Sequence, residues 1–201
     1  LKALKLTIFA SSSDDSKQLL TGVNFTFNLK YLESAATDGH RLAVFLVNKK
    51  ENFDQKEDIS INEENLSVTI PTRSLREIEK LVSLKTSEDL IKLFYDKGQV
   101  VFISSNQIIT TRTLEGSYPN YSQLIPDTFS KLFTFNTKKL IESLERIAVL
   151  ADQQSSVVKI KLEQKDLALL SADAQDIGNA SELIPVSFAF DQFEIAFNVR
   201  Y

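Results

Sequence analysis

The chain has 201 residues, of which 43% are hydrophobic and 25% charged, a composition typical of a globular protein with room for one large domain or one and a half small ones. The absence of Cys excludes disulfides, thiolate metal sites and cysteine nucleophiles, and a single His makes a histidine zinc site or a catalytic triad hard to assemble. No apolar stretch approaches the roughly 18 to 20 residues of a membrane span, and the N-terminus lacks a signal-peptide cleavage site. We therefore expect a soluble, cytoplasmic protein.

The net charge of −4 argues against a generic cationic nucleic-acid binder, which usually carries a strong basic excess. Net charge does not describe how charges are distributed, so weak and well-placed positive charge on a protein that slides along DNA stays open.

The first part of the chain predicts a helix followed by β-hairpins. Apolar residues at helical spacing predict a helix over residues 1–10, and a polar loop follows at 11–16. Asp38-Gly39 predicts a tight turn, because Gly tolerates the positive φ that such turns require. Strands are predicted around this turn and after a charged loop at 48–58, over residues 19–27, 31–37, 42–47 and 66–70.

The clearest helix begins near Ser74. Ser74 followed by Glu77 is the pattern of a capping box, and the apolar side of the predicted helix is formed by Leu75, Ile78, Leu81 and Val82. Three further strands are predicted over residues 90–95, 100–104 and 107–113.

Residues 115–127 contain one Gly, two Pro and two Tyr without periodicity, which predicts a connector that packs against something. After it, Thr137 is predicted to cap a second helix whose inward side chains are Leu140, Ile141, Leu144, Ile147 and Ala151. Strands are predicted over residues 157–162, 167–172, near 183–188 and over the strand-like end of the chain.

The two parts of the chain look like repeats of one another. Residues 4–25 have the same order of helix, polar loop and strand as residues 144–162, and residues 30–38 resemble residues 165–176, with Ser34 and Ser171 in corresponding places. We therefore predict two homologous α+β domains, residues 1–126 and 127–201, each with helices on one face of an antiparallel sheet. A chain that begins at Leu1 and contains no Met also looks cut from a longer polypeptide.

Four segments, LLTGVNF, ESAATDGHRLAV, VTIPTRSLREIEKL and LEGSYPNYSQLIP, occur in an order and at intervals that resemble the bacterial DNA polymerase III beta sliding clamp. On this resemblance, residues 1–126 look like the middle clamp domain without its opening strand, and 127–201 like the first half of the third domain. The resemblance implies a processivity factor, a closed homodimeric ring with helices lining the hole, and no catalysis, metal or cofactor.

The resemblance implies a pocket for partner peptides between the family's second and third domains. Part of this pocket lies on the family's C-terminal strands, which on this resemblance the chain lacks. We therefore expect peptide binding to this chain to be impaired. The partners implied are the polymerase III catalytic subunit, the clamp loader, repair polymerases and mismatch-repair proteins. Apolar side chains and a close-approach glycine suit a groove that binds short peptides. The residues that match the family's pocket are Leu20, Thr37, Gly39, His40, Arg41, Leu42, Pro119 and Leu124.

The family also contacts double-stranded DNA without reading its sequence, and it closes the ring through apolar residues at the end of a helix. The positions that match basic DNA-facing positions are Lys17, Arg73, Lys80 and Arg146, and Gln123 stands where the pattern is often basic. Val149 and Leu150 match the dimer interface.

The site residues also have simpler interpretations, and two other functions stand as alternatives. A lone His in a turn is usually a surface residue, basic groups that alternate with Glu on a helix are usually solvent charges, and Val149 and Leu150 are core residues by default. A metal-dependent nuclease would use acidic pairs such as Asp14-Asp15 and Glu63-Glu64, but these lie in polar loops without converging carboxylates. A peptide-binding scaffold unrelated to DNA would share the pocket but would not need a basic surface.

Overall fold

The computed structural model describes residues 1–28, 30–48, 66–83, 91–104, 107–151, 156–164, 166–174 and 178–201. These residues form two compact units, Leu1–Leu124 and Ile125–Tyr201. Most of the predicted charged loop at 48–58 lies outside the described residues. Among the described helices, none is long and apolar enough to cross a membrane.

The described residues of unit 1 form two helices and two antiparallel sheets. Helix α1 (Lys2–Thr7) continues into a 3-10 turn (Ile8–Ala10), and a 3-10 segment (Asp15–Thr21) leads into the first strand. The four-stranded sheet has the order β3-β2-β1-β4 and is built from β1 (Gly22–Phe27), β2 (Tyr31–Thr37), β3 (Leu42–Asn48) and β4 (Leu66–Pro71). Helix α2 (Thr72–Ser83) follows β4 directly. A three-stranded sheet comes next, built from β5 (Lys92–Asp96), β6 (Gln99–Ser104) and β7 (Gln107–Arg112) in the order β5-β6-β7. A 3-10 turn (Ser122–Leu124) ends the unit.

Strand alternation decides which face of the four-stranded sheet is covered. Val23 pairs with Ile70 and Phe25 pairs with Val68, so these four side chains point to one face. They share a buried cluster with residues of both helices, including Leu75 from α2. Both helices therefore pack on the same face of this sheet.

The described residues of unit 2 form one helix on a five-stranded antiparallel sheet. The short opening strand was not predicted, because its three residues are too few to show a period. The elements are β8 (Phe133–Phe135), α3 (Thr137–Ala148), β9 (Val157–Gln164), β10 (Leu167–Ala174), β11 (Gly178–Phe188) and β12 (Phe193–Asn198). The strand order in the sheet is β12-β9-β10-β11-β8.

The two units share a strand arrangement. In unit 1 a helix precedes the meander β1-β2-β3, and β4 returns antiparallel to β1. In unit 2 a helix precedes the meander β9-β10-β11, and β12 returns antiparallel to β9. The predicted α+β class, with helices on antiparallel sheets, is confirmed, and the common arrangement explains the repeat seen in the sequence.

The predicted correspondence of Ser34 with Ser171 is wrong. Ser34 is buried and pairs with Phe25 on the helix-covered face of its sheet. Ser171 pairs with Lys159, and it alternates with the buried Leu170 and Ala172. Because side chains alternate along a strand, the two serines lie on opposite faces of their sheets.

Both predicted helix caps are also wrong. Helix α2 begins at Thr72, so Ser74 is inside it; its hydroxyl shares a 2.8 Å hydrogen bond with that of Thr111. Glu77 pairs with Lys80 at 2.9 Å. The cap of α3 is Asn136, whose side-chain oxygen accepts the N–H of Lys139 at 3.1 Å, one residue before the predicted Thr137.

The buried side of α3 differs from the predicted one at two positions. Ile141, predicted inward, is 50% exposed, whereas Ser143 is 1% exposed. Ser143 is buried because its hydroxyl donates to Glu182 of β11 at 2.8 Å, and Glu182 pairs with Leu170 on the face of the sheet that the helix covers. A polar contact therefore occupies a place where hydrophobic periodicity expects an apolar side chain.

Candidate functional site

A network of hydrogen bonds holds the turn between β2 and β3. Asp38 Oδ1 accepts the N–H groups of His40 and Arg41 at 2.9 and 3.0 Å, and Arg41 Nε donates to Asp38 Oδ2 at 3.0 Å. The Thr37 hydroxyl donates to the Arg41 carbonyl at 2.7 Å and accepts the N–H of Gly39 at 3.1 Å. Gly39 has φ +96°, as the predicted turn requires.

Burial raises the pKa of Asp38, but the N–H donors of His40 and Arg41 and the Arg41 charge outweigh burial, so the pKa of this carboxyl lies below its ordinary value. Asp38 is therefore ionised at neutral pH and holds the turn as a carboxylate.

The connector that follows β7 is fastened to β2 by two tyrosines. The N–H of Thr37 donates to the Tyr118 hydroxyl at 3.0 Å, and the Tyr121 hydroxyl donates to the Glu33 carboxylate. Burial raises the pKa of the Tyr118 phenol, and burial together with the neighbouring Glu33 carboxylate raises the pKa of the Tyr121 phenol. Both phenols are protonated at neutral pH, which Tyr121 needs in order to donate.

The 3-10 segment at Asp15–Thr21 meets both the turn and the connector. Lys17 Nζ donates to the Asp38 carbonyl at 3.4 Å. Leu19 packs on Gly116 so closely that a Cβ at Gly116 would lie 3.1 Å from Leu19 Cδ1. Within unit 1, the 3-10 segment, the hairpin turn and the connector therefore contact one another pairwise.

The eight residues that match the family's pocket all lie in unit 1, on these three segments and at the start of β3. Leu42 pairs with Thr37 across the turn, and Leu20 neighbours Leu19 in the 3-10 segment. Leu20 and Leu42 are half-buried, whereas His40 and Pro119 are exposed and Leu124 is 70% exposed. The geometry brings the segments together, and binding of a peptide to them remains a prediction.

One aromatic neighbour of the turn was not predicted. The Arg41 guanidinium lies over the Phe9 ring, 5.7 Å from its centroid, and about half of Phe9 is exposed. Phe9 lies in the 3-10 turn that follows helix α1, and its contact with the hairpin turn could not be predicted from spacing along the chain.

The four predicted DNA-facing residues have different surroundings. Arg73 and Lys80 are both exposed on α2, and seven residues correspond to nearly two turns, so they lie on one side of the helix. Lys17 lies at the hairpin turn. Arg146 of α3 forms a two-point contact with Glu182, from Nε at 3.0 Å and from Nη2 at 2.6 Å. The Arg146 charge is therefore largely compensated by a carboxylate in the same unit.

Val149 and Leu150 follow the end of α3. Val149 is 81% exposed, so the simpler expectation of a core residue is wrong for it, and Leu150 is half-buried. An exposed Val beside a helix end is compatible with a predicted interface, which stays a prediction.

The acidic residues proposed for a nuclease do not come together in the described parts of the chain. Across these residues, no group of three or more His, Cys, Asp or Glu side chains is placed to hold a metal ion. Asp14 caps the 3-10 segment by accepting the N–H of Ser16 at 2.9 Å. Glu63-Glu64 lies outside the described residues.

Glu33 and the hydroxyl groups of Tyr118 and Tyr121 were not predicted from the sequence. The available signal was the pair of tyrosines in a connector without periodicity, since a buried Tyr usually needs a partner for its hydroxyl. The partners themselves are about 80 residues away along the chain and could not be identified from spacing.

Two family models and two relatives match this chain. The family model for the DNA polymerase III beta subunit, central domain, matches residues 1–120, and that for its C-terminal domain matches residues 122–201. The beta sliding clamps of Synechococcus elongatus and Bacillus subtilis are 44% and 30% identical over 100% and 98% of this chain. The chain spans about half the length of these relatives, 52% and 50% respectively.

Two solved structures are also similar to this chain. The DNA polymerase III beta chain of Streptococcus pneumoniae is 31% identical with a TM-score of 0.84 over 98% of this chain and 50% of its own length. The sliding clamp of Pseudomonas aeruginosa, 23% identical, shares the fold with a TM-score of 0.86 over 98% of this chain and 52% of its own. The chain belongs to the DNA polymerase III beta subunit family, and its α+β fold is that of the sliding clamp domains.

Proposed function

We propose that this chain is part of a DNA polymerase processivity factor, a sliding clamp that encircles duplex DNA and holds a polymerase on it. Membership of the beta subunit family supports this proposal, as do the relatives, which are named beta sliding clamps. The function is mechanical and requires neither a catalytic residue nor a cofactor.

The whole ring needs more chain than these 201 residues, because the relatives are about twice as long. We propose that residues 1–126 are most of a middle clamp domain, without its opening strand, and that residues 127–201 are the first half of a third domain. The full-length protein would close as a homodimer, and the exposed Val149 with Leu150 would contribute apolar surface to the dimer interface.

The observation that carries the proposal is the convergence of three segments in unit 1 around the hairpin turn. Lys17, Leu19 and Thr37 are the contact points that join the 3-10 segment, the connector and the turn. Around them stand the eight residues that match the family's pocket for partner peptides. A rigid, hydrogen-bonded turn beside partly exposed apolar side chains is suited to hold one or two apolar anchors of an extended peptide.

We propose that this pocket binds short segments of the polymerase III catalytic subunit, the clamp loader, repair polymerases and mismatch-repair proteins in turn. Micromolar binding, roughly −8 kcal/mol, would allow such partners to exchange. Arg41 and His40 would form the polar edge of the pocket, and Leu20, Leu42, Pro119 and Leu124 its apolar surface.

DNA would be held by cations that contact phosphates without reading bases. Arg73 and Lys80 support this role best, since both are exposed on one side of α2. Lys80 is also paired with Glu77, and Arg146 with Glu182, so these two cations would contribute more weakly. A weak electrostatic contact suits a tether that moves along DNA.

A peptide titration tests the pocket. The full-length protein is titrated with a fluorescently labelled clamp-binding peptide, and the titration is repeated with Leu42→Ala and with Leu124→Ala. Each variant removes a Leu side chain of the pocket that the bound peptide would cover. Burial of a Leu side chain is worth about 1.5 to 3 kcal/mol, so each variant should weaken the peptide Kd roughly tenfold or more.

The matched control is Leu46→Ala, which removes an exposed leucine from the same strand as Leu42 but four residues farther from the turn. Its peptide affinity should match that of the unaltered protein. Unchanged affinity in both Leu42→Ala and Leu124→Ala would remove the pocket assignment.

A further inference from the structure

The part of the connector that lies in unit 1, residues 115–124, has little apolar packing of its own. Pro119, Asn120 and residues 122–124 are exposed, whereas Tyr118 and Tyr121 are half-buried. The course of this segment therefore depends on how these two tyrosines are attached.

Tyr118 accepts a hydrogen bond from the backbone N–H of Thr37, which would destabilise the fold if it were buried without an acceptor. Thr37 is 8% exposed, and a buried N–H group needs an acceptor. The Tyr118 hydroxyl accepts this N–H at 3.0 Å, while the Thr37 hydroxyl holds the turn through Gly39 and the Arg41 carbonyl. Tyr118 thus attaches the connector to the residue that also organises the hairpin turn.

Tyr121 attaches the connector four residues farther back along β2. Its hydroxyl donates to Glu33, whose side chain alternates with the helix-covered Leu32 and Ser34 and so points to the other face of the sheet. Ala35 lies between the two attachment points and is fully buried although it is on this other face. The two tyrosine rings lie edge to face, with centroids 6.4 Å apart.

We infer that Tyr118 and Tyr121 are positioning residues for the peptide pocket: their two hydroxyls fasten the Pro119–Leu124 segment to strand β2 and so fix where this wall of the pocket stands relative to the hairpin turn. The inference rests on the proposed function. Neither hydroxyl needs to touch the peptide, because each acts through the segment that carries Pro119 and Leu124.

Without these attachments the segment would have to be ordered when a peptide binds, which lowers affinity. Tyr118→Phe and Tyr121→Phe each remove one oxygen and keep the ring, so the fold should persist. Each variant should weaken the peptide Kd of the full-length protein about threefold to tenfold, the factor that corresponds to one net hydrogen bond.

The experiment combines this titration with hydrogen exchange measured by mass spectrometry over the segment that contains Thr37. In Tyr118→Phe, exchange in this segment should accelerate on the order of tenfold, since the Thr37 N–H loses its acceptor. Tyr95→Phe, which removes a hydroxyl from β5, is the matched control and should change neither exchange nor affinity.

A conservative variant separates positioning from general stability. Glu33→Gln keeps an acceptor oxygen for Tyr121 and should bind the peptide like the unaltered protein, whereas Glu33→Leu should weaken binding as Tyr121→Phe does. Equal melting temperatures for the two Glu33 variants with unequal affinities would support a positioning role.

Two results would overturn the inference while leaving the proposed function intact: unaltered peptide affinity in both tyrosine variants, or unaltered exchange at Thr37 in Tyr118→Phe. If the unaltered full-length protein does not bind the peptide at all, the proposed function fails first, and the inference fails with it.

Discussion

At the turn between β2 and β3, the Asp38 carboxylate accepts the N–H groups of His40 and Arg41 and one guanidinium N–H. These donors favour the ionised form, so the pKa of Asp38 is lower in the folded chain than in the unfolded chain. A lowered carboxyl pKa stabilises the fold above the unfolded pKa of about 3.9, and this contribution disappears as the pH falls through the folded pKa.

We therefore predict that Asp38→Asn removes part of the acid sensitivity of the fold. Urea unfolding at pH 7 and at a series of lower pH values measures it. The difference in free energy of unfolding between the unaltered chain and Asp38→Asn should be largest at neutral pH and should shrink as the pH falls below about 4. A difference that stays constant down to pH 2 would contradict the role given to the carboxylate.

Gly39 at the same turn has φ +96°, and a Cβ there would meet only Lys17 Nζ at 3.9 Å. Space is therefore available, and the cost of Gly39→Ala comes from the backbone. We predict a loss of about 1 to 2 kcal/mol in the free energy of unfolding, measured by urea titration. An unchanged value would show that the turn adopts another conformation.

At this scale, the sequence predicted what depends on local chemistry. Asp38-Gly39 predicted the turn because both the positive φ and the carboxylate contacts are local. The partners of Tyr118 and Tyr121 were not predictable, since Thr37 and Glu33 lie 81 and 88 residues away along the chain.

Among the elements, helix α3 shows how a polar contact changes which side of a helix is buried. Ser143 and Arg146 both contact Glu182 of β11, and this places Ser143 at the sheet while Ile141 points outward. Hydrophobic periodicity predicted the helix and the inward Ile147, which is 2% exposed. Periodicity failed at Ile141 because it does not register a serine that is satisfied by a carboxylate on the facing strand.

The two isoleucines of α3 provide a matched pair. Ile147→Ala should lower the free energy of unfolding by about 2 to 4 kcal/mol, because it leaves a cavity in the buried cluster of unit 2. Ile141→Ala should change it by less than about 0.5 kcal/mol, since the side chain is half exposed and Ala favours the helix. Urea unfolding of both variants checks this, and equal losses would restore the inward position predicted for Ile141.

For the whole molecule, the repeat in the sequence predicted the common strand arrangement of the two units. The repeat predicted this arrangement because each unit needs apolar and polar side chains to alternate along its strands in order to bury one face of the sheet under a helix. The Ser34–Ser171 correspondence failed because a shift of one residue exchanges the faces of a strand, and sequence similarity does not detect such a shift. The four family segments predicted the family, and the match of both domain models confirmed it.

The central claim, that the full-length protein holds DNA by encircling it, is tested most directly by topology. The protein is loaded with its clamp loader onto nicked circular DNA, and retention is measured before and after the circle is cut once. Encirclement predicts stable retention on the circle at high salt and rapid loss from the linear DNA. Equal retention on circular and linear DNA would contradict the claim.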